Sequence, residues 1–467
     1  MNRSDQAQPT DPHTPPLYGS NTELAVRNFP ISGQPMPRAV LVALAHIKAA
    51  AAVANTDFEE TTGVTAPMAA AIASAADEIV AGRWRDQFPV DVFQTGSGTS
   101  TNMNVNEVIA TLAEQRLGSP VHPNDHVNAS QSSNDTIPSA IRIAALTLLV
   151  DDLIPAVRSL ERALLDAAER FDSVVKAGRT HLMDATPVML GDEFGGYGFA
   201  VGEAADRLLS TLPRVGGLPL GGTATGTGLN APPGYAERTV ALLADRTGLE
   251  LTVAANHFAV QGAHDSLVEL SAQLRNLAVT LFKIANDVRW LGSGPRTGLA
   301  ELILPELQPG SSIMPGKTNP VICEVVLQVC AQVLGNDTAI AFAGTQGNLE
   351  LNVFLPLMAR NLVDSLTLLT SSVTSFTGLC AGLEADEQQC RAHAEATLAG
   401  AARLNLEVGY DRAAEVVKTA HRTGRTVLEV VVEDGLLDEQ RARQVLDPVM
   451  LARPNGPAPS DPPSDDD

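Results

Sequence analysis

Four stretches of this chain place apolar residues at three- and four-residue spacing over lengths that few folds accommodate. The first follows Pro138 and runs from Ser139 to about Phe171 through Ile141, Ile143, Leu146, Leu149, Leu153, Val157, Leu160 and Leu164. The others cover residues 265–291, 321–343 and 354–382. That period puts the apolar side chains on one face of an α-helix, and Pro138 suits a helix's first turn. At 1.5 Å per residue, helices of about 25 to 30 residues reach about 37 to 45 Å, more than a small domain covers. Rods of this length gather into bundles, so the expected fold class is all-α, with two or three folding units in 467 residues.

The same stripes predict contact between subunits. Ala272, Ala278, Ala285, Ala331 and Ala339 widen the apolar arc beyond the single stripe that a monomeric bundle buries, which implies a homo-oligomer. The balance of 32 Lys+Arg against 54 Asp+Glu gives a net charge of -22, which argues against nucleic acid or an anionic membrane as partner. Charges such as Arg275, Lys283 and Asp287 punctuate the greasiest stretches, so no apolar run reaches the roughly 18 residues expected of a membrane span. Cys323, Cys330, Cys380 and Cys390 lack CxxC spacing and read as free thiols rather than zinc ligands. The polar, proline-bearing stretch from Met1 to Pro16 has no apolar core of a signal peptide, so a soluble, cytoplasmic protein is expected. Asn128-Ala129-Ser130 then matches a glycosylation sequon by chance, and residues 453–467 read as a disordered tail.

Between the rods lie loops rich in Gly, Ser, Thr, Asn and Pro, at 94–106, 122–138, 178–187, 215–234 and 308–320, the places where binding and catalysis concentrate. Gly310-Ser311-Ser312-Ile313-Met314-Pro315-Gly316-Lys317-Thr318-Asn319-Pro320 excludes regular structure yet carries hydroxyls, an ammonium and an amide. Backbone N–H groups freed by small residues, with Lys317 and Asn319, make a carboxylate cradle. Thr99, Ser132, Ser133, Asn134, Thr180 and Asn319 form a neutral donor set suited to two carboxylates, one that releases its ligand more readily than several arginines would. Taken singly, each is more often a cap or turn residue, and only their convergence would change that. His181 brings an imidazole, the side-chain type best suited to proton transfer near neutral pH. Gly226-Thr227-Gly228 lacks the strand and the third glycine of a dinucleotide loop.

The 310–320 string is similar to the signature loop of the fumarase/aspartase superfamily, GSSxMPxKxN. Two further blocks agree: Gly96-Ser97-Gly98-Thr99-Ser100-Thr101-Asn102-Met103-Asn104 with Asn106 and Glu107, and His122-Pro123-Asn124-Asp125 through Ser130-Gln131-Ser132-Ser133-Asn134-Asp135, continued by Gly178-Arg179-Thr180-His181. The resemblance covers about residues 17 to 440 and is closest to class II fumarases. It implies a three-domain fold with an N-terminal helical domain (1–131), a central long-helix bundle (132–388) and a small C-terminal helical domain (389–452), in a homotetramer with a 20-helix core. It further implies composite active sites that draw the Thr99 block, the Ser132-to-His181 block and the Ser311 loop from different subunits, and no metal or other cofactor.

The activity so implied is reversible hydration of fumarate to L-malate through an aci-carboxylate. Ser311 would be the base, its alkoxide supported by loop N–H groups and Lys317; His181 would manage the leaving water, oriented by Glu324. Ser97, Thr99, Ser132, Ser133, Asn134, Thr180, Lys317 and Asn319 would bind substrate. His122, Asn124 and Asp125 match a peripheral dicarboxylate site, although a turn with a helix cap explains the same residues. Ser133, in QSSND where aspartases usually carry threonine, and Gly316 both favour water over ammonia as leaving group. Aspartate ammonia-lyase, another fumarate-releasing lyase and a non-catalytic homologue are the alternatives. Thr318 for valine, His126 for aspartate, the Pro-rich start and the missing proline after Asn405 depart from the family pattern.

Overall fold

The computed structural model describes residues 16–308, 313–314 and 317–453. Ser311, with Gly310, Ser312, Pro315 and Gly316, lies outside the described residues, as do the first fifteen and the tail from 454 on. Helices dominate, and the strands form two-stranded pairs. Three rods, Asp265–Leu291, Val321–Gly344 and Leu355–Ala381, fall where the periodicity puts them, with 27, 24 and 27 residues. The fourth starts earlier than expected. Its first segment is Ser133–Thr147, and Pro138 sits in its second turn rather than its first. A capping box explains this: the Ser132 hydroxyl accepts from Asn134 N–H at 3.2 Å, and the Asp135 carboxylate accepts from Ser132 N–H at 3.0 Å. Residues Leu148–Leu153 then form a π-type turn before Ile154–Arg170 resumes α-geometry. Pro155 has no N–H for the carbonyl four residues back, so the ladder is already broken there.

Two compact units emerge, each discontinuous in sequence. The first comprises residues 1–156, 204–279 and 328–371; the second comprises 157–203, 280–327 and 372–467. In the first, the helix Arg38–Asn55 buries Leu44, Ile47 and an alanine series including Ala45, Ala49 and Ala51. It packs on Ala66–Val80, Ser133–Thr147 and Tyr235–Thr247. Methyl side chains let these axes approach closely, which is how a chain with 4% aromatics builds a dense core. Each fully buried Leu or Ile contributes about 1.5 to 3 kcal/mol of transfer free energy.

In the second unit, an antiparallel hairpin pairs Val175–Thr180 with Met183–Met189. The helix Glu387–Ala396 packs against it. Farther along the chain, Ala401, Leu404, Val416, Val430 and Val431 form a separate small cluster. All four cysteines are free and buried, and burial pushes the Cys323, Cys330 and Cys390 thiols up to about 12.

By length and composition, two helical stretches are apolar enough to cross a membrane, Arg38–Thr62 and Val321–Gly344, because one or two charges do not disqualify a span. They differ in their surroundings. The apolar window of the first is 72% buried and belongs to the core; that of the second is 33% buried, leaving Val325, Leu334 and Phe342 exposed.

Candidate active site

In the first unit, the predicted donors converge on one loop. The helix Thr99–Leu117 begins after Ser97, whose hydroxyl meets that of Thr99 at 2.8 Å. Gly96 is required just before it, since a Cβ there would stand 1.9 Å from the Val353 carbonyl oxygen. The helix turns polar side chains inward. Asn102 Nδ2 donates to Asn128 Oδ1 and to Ser133 Oγ, both at 3.1 Å, and Asn106 Nδ2 donates to Asn128 Oδ1 at 3.2 Å. Hydrogen bonds therefore join the Thr99 and Ser132 blocks within one chain.

The Ser132 end of the loop is fixed by Asp135. Its buried carboxylate accepts from Gly221 N–H (3.0 Å) and Thr223 N–H (2.9 Å) as well as from Ser132. Burial raises its pKa despite these bonds. Asn134 donates to the Ala224 carbonyl at 2.8 Å. Beneath the loop, Lys48 donates to Asn128 and Gln131, and burial drives its ammonium down to about 7 against the pull of Asp135. The result is a cavity of about 560 Å³ lined by Asn128 to Ser133, Asn124, Asp125, Thr223 and Ala224. Ser132 and Ser133 stand at the N-terminus of a 15-residue helix, where the backbone favours an anion.

The second unit presents the other predicted groups differently. Thr180 pairs with Met183, leaving His181 and Leu182 as a two-residue tip with φ of 57° and 61°. Two left-handed residues define a type I′ turn, which normally selects Asn or Gly. His181 thus carries backbone strain of the kind that accumulates at functional sites. Thr180, His181, Leu182 and Met183 are all exposed. Close pairing at the root of the hairpin needs Gly178, since a Cβ there would lie 2.3 Å from the Thr186 carbonyl oxygen.

Arg179, two residues before His181, is anchored bidentately to Glu301 at 2.8 and 2.9 Å. Glu301 is fully buried, accepts from His393 Nδ1–H at 2.9 Å and stands 3.6 Å from Lys176 Nζ. Burial alone would raise the Glu301 pKa, but Arg179, Lys176 and His393 hold it below the usual carboxylate range. Lys317 and Thr318 line a cavity of about 390 Å³ with Gly292, Pro295, Ala300, Leu302 and Asp386. Glu324 is exposed in the first turn of Val321–Gly344, a position the helix dipole already favours. Within one chain no hydrogen bond joins His181 to Glu324. Asn319 is half-buried, and its carbonyl accepts from Val321 N–H at 2.8 Å.

At the peripheral block, His122 Nδ1 accepts from Asp125 N–H at 3.1 Å and caps its own turn, while Asn124 and Asp125 face the 560 Å³ cavity. Asn128, the sequon residue, accepts from Lys48, Asn102 and Asn106 through Oδ1 and donates from Nδ2 to the Gln131 carbonyl. Glu107 accepts from Gly19 N–H and from the Thr22 hydroxyl and backbone, tying the chain's first described helix in place. Sequence reasoning missed Lys48, Asp135 and Glu301 as supports. A lone lysine inside the alanine run Ala43–Ala54 was the available signal for the first; Glu301 carried none.

Residues 9–335 match the family profile described as lyase, and residues 401–453 match that of the fumarase C C-terminus. The fumarate hydratase class II of Mycobacterium tuberculosis is 52% identical over 434 residues, covering 92% of this chain and 90% of that one. Its namesake from Thermosynechococcus vestitus is 50% identical, covering 90% and 91%. Among solved structures, recombinant class II fumarase from Schistosoma mansoni superposes with a TM-score of 0.90 at 35% identity, covering 94% of this chain and 96% of that one. With similarity of this depth over nearly its whole length, the chain belongs to the class II fumarase family of lyases.

Proposed function

We propose that this protein is a hydro-lyase that interconverts fumarate and L-malate, with the cavity at Ser132 and Ser133 holding a substrate carboxylate. The observation that carries this reading is the chemistry of that cavity: hydroxyls and amides at a helix N-terminus, with no Arg or Lys and one carboxylate, Asp125, among its described lining residues. Neutral donors of this kind bind a dianion without trapping it. In the elimination direction, the Ser311 oxygen takes the proton from the carbon alpha to one carboxylate, and the electron pair moves into that carboxylate to give the aci-carboxylate dianion. Its collapse expels hydroxide, which His181 protonates to water. Serine is a weak acid, so the alkoxide requires loop N–H groups and Lys317 beside it. Glu324 would orient His181, and Thr180 and Asn319 would complete the grip.

The enzyme is further proposed to be a homotetramer with composite sites. Support comes from the exposed apolar side chains of Val321–Gly344 and from Val279, Phe282 and Trp290 on Asp265–Leu291. The exposed, unjoined His181 and Glu324 suit groups that meet across chains. The test is to incubate purified protein with L-malate and, separately, with L-aspartate, following fumarate absorbance. Fumarate from malate alone is expected. Release from aspartate alone would make it an ammonia-lyase, and no release from either would sink the catalytic reading. Sedimentation should give four chains per particle, with activity lost on dissociation.

A further inference from the structure

A buried ammonium underlies the Asn128–Asn134 loop. Lys48 lies within the helix Arg38–Asn55, followed by alanines, and its side chain is wholly removed from solvent. Its Nζ donates to Asn128 Oδ1 at 2.8 Å and to Gln131 Oε1 at 2.9 Å, both neutral amide oxygens. Among the described residues it forms no ion pair. As a device for stability this is poor chemistry, because an ammonium taken out of water with no carboxylate in contact, Asp135 acting on it only through space, costs several kcal/mol, and an apolar side chain of similar length commonly serves the fold as well.

What the ammonium organises is specific. The Asn128 oxygen it holds also receives Asn102 and Asn106, and Asn102 passes its other N–H to Ser133 Oγ. The Gln131 side chain, its second partner, precedes Ser132 directly and also donates to the Val127 and Ala129 carbonyls at 3.2 and 3.1 Å. All but the bond to Val127 end on the loop that walls the cavity. We propose that Lys48 is a positioning residue for substrate binding, clamping Asn128 and Gln131 so that Ser132 and Ser133 face the cavity in the spacing a C4 dicarboxylate needs. In its protonated form Lys48 also favours an anion above the neutral donors without touching it. The inference rests on the reading of this cavity as the dicarboxylate site.

The test is Lys48→Met, which keeps the length of the stem and removes the charge and the donors, assayed with L-malate beside the wild type. Expected is a fall of about 10- to 100-fold in kcat/KM, carried mainly by KM, as when binding groups drift by about an ångström. The melting temperature should be unchanged or raised. Wild type that does not turn over malate would remove the functional reading itself. If wild type is active, a Lys48→Met kcat/KM within about threefold of it overturns the positioning role. So does a loss that merely follows a lowered folded fraction, or one carried wholly by kcat. Should the methionine variant not fold, Lys48→Gln, which retains an N–H donor, is read by the same criteria.

Discussion

The donor loop of the first unit and the hairpin tip of the second are built on opposite principles. Around Ser132–Asn134 the cavity is backed by buried polar groups: Lys48, Asn102 and Asn106 all donate to Asn128, and Asp135 separately accepts from Ser132, Gly221 and Thr223. At His181 the backing is confined to the base of the hairpin, through Arg179 and Glu301, and the reactive side chain stands in the open on a strained turn. A binding surface gains from being assembled in advance, since every ordered donor is one that substrate need not order. A group that must meet partners from another chain is better presented at a projecting tip. The contrast implies that damage to the hairpin's reactive groups is read in turnover, while damage to its root is read in stability.

The largest expected effect tests the first half of that statement. Ser311→Ala and His181→Asn each remove a proton-transfer group and should lower kcat by about 10²- to 10⁴-fold with little change in melting temperature. Retained activity in Ser311→Ala would remove the proposed base, whichever chain supplies it. Next in size is Glu301→Gln, which leaves Arg179 and Lys176 without their buried counter-charge and should cost about 3 kcal/mol in urea unfolding. Its pH dependence has a definite sign. The folded-state pKa of Glu301 is depressed, so its contribution is present above the unfolded carboxyl value and is lost as pH falls through the folded value. Wild type should therefore lose stability on acidification more steeply than Glu301→Gln. Equal acid slopes would show that Glu301 is not the group that couples the hairpin root to protons.

Much of this contrast could not be read from the chain. The rod Asp265–Leu291 was legible because period and length are local properties, and it appears with the expected bounds. The start of Ser133–Thr147 was misplaced although its signal was present: Ser132 and Asp135 have the spacing of a capping box, but Pro138 drew the boundary six residues too late. The sequence singled out Ser132, Ser133 and Asn134 as candidate donors, but not the buried groups that hydrogen-bond around them. Lys48 and Asn128 are 80 residues apart, and Arg179 and Glu301 are 122 apart. Pairings at such range leave no periodic mark, and a buried Lys or Glu looks in sequence like any surface charge. The hairpin tip was hidden for a different reason, since His-Leu carries none of the Asn-Gly chemistry that announces a type I′ turn.

Smaller effects separate capping from binding. Ser132→Ala removes the hydroxyl that accepts from Asn134 N–H and should lower stability by about 1 kcal/mol, the ordinary worth of an N-cap. If Ser132 also touches substrate, KM for malate should rise by more than that stability loss explains; an unchanged KM would leave it a cap alone. The smallest prediction reverses the sign. Leu182 holds φ at 61° with its side chain 74% exposed, so it gives up left-handed strain without burying enough surface to offset it. Leu182→Gly should therefore stabilise the isolated fold by about 0.5 to 1 kcal/mol, the strain relieved exceeding the entropy that glycine adds to the unfolded chain. If the tip meets another subunit, the same change should weaken assembly on dilution while raising the unfolding midpoint of the dissociated chain. A lowered midpoint in the dissociated chain would mean that Leu182 packs within its own chain, and the hairpin would no longer stand as the open counterpart of the buried donor loop.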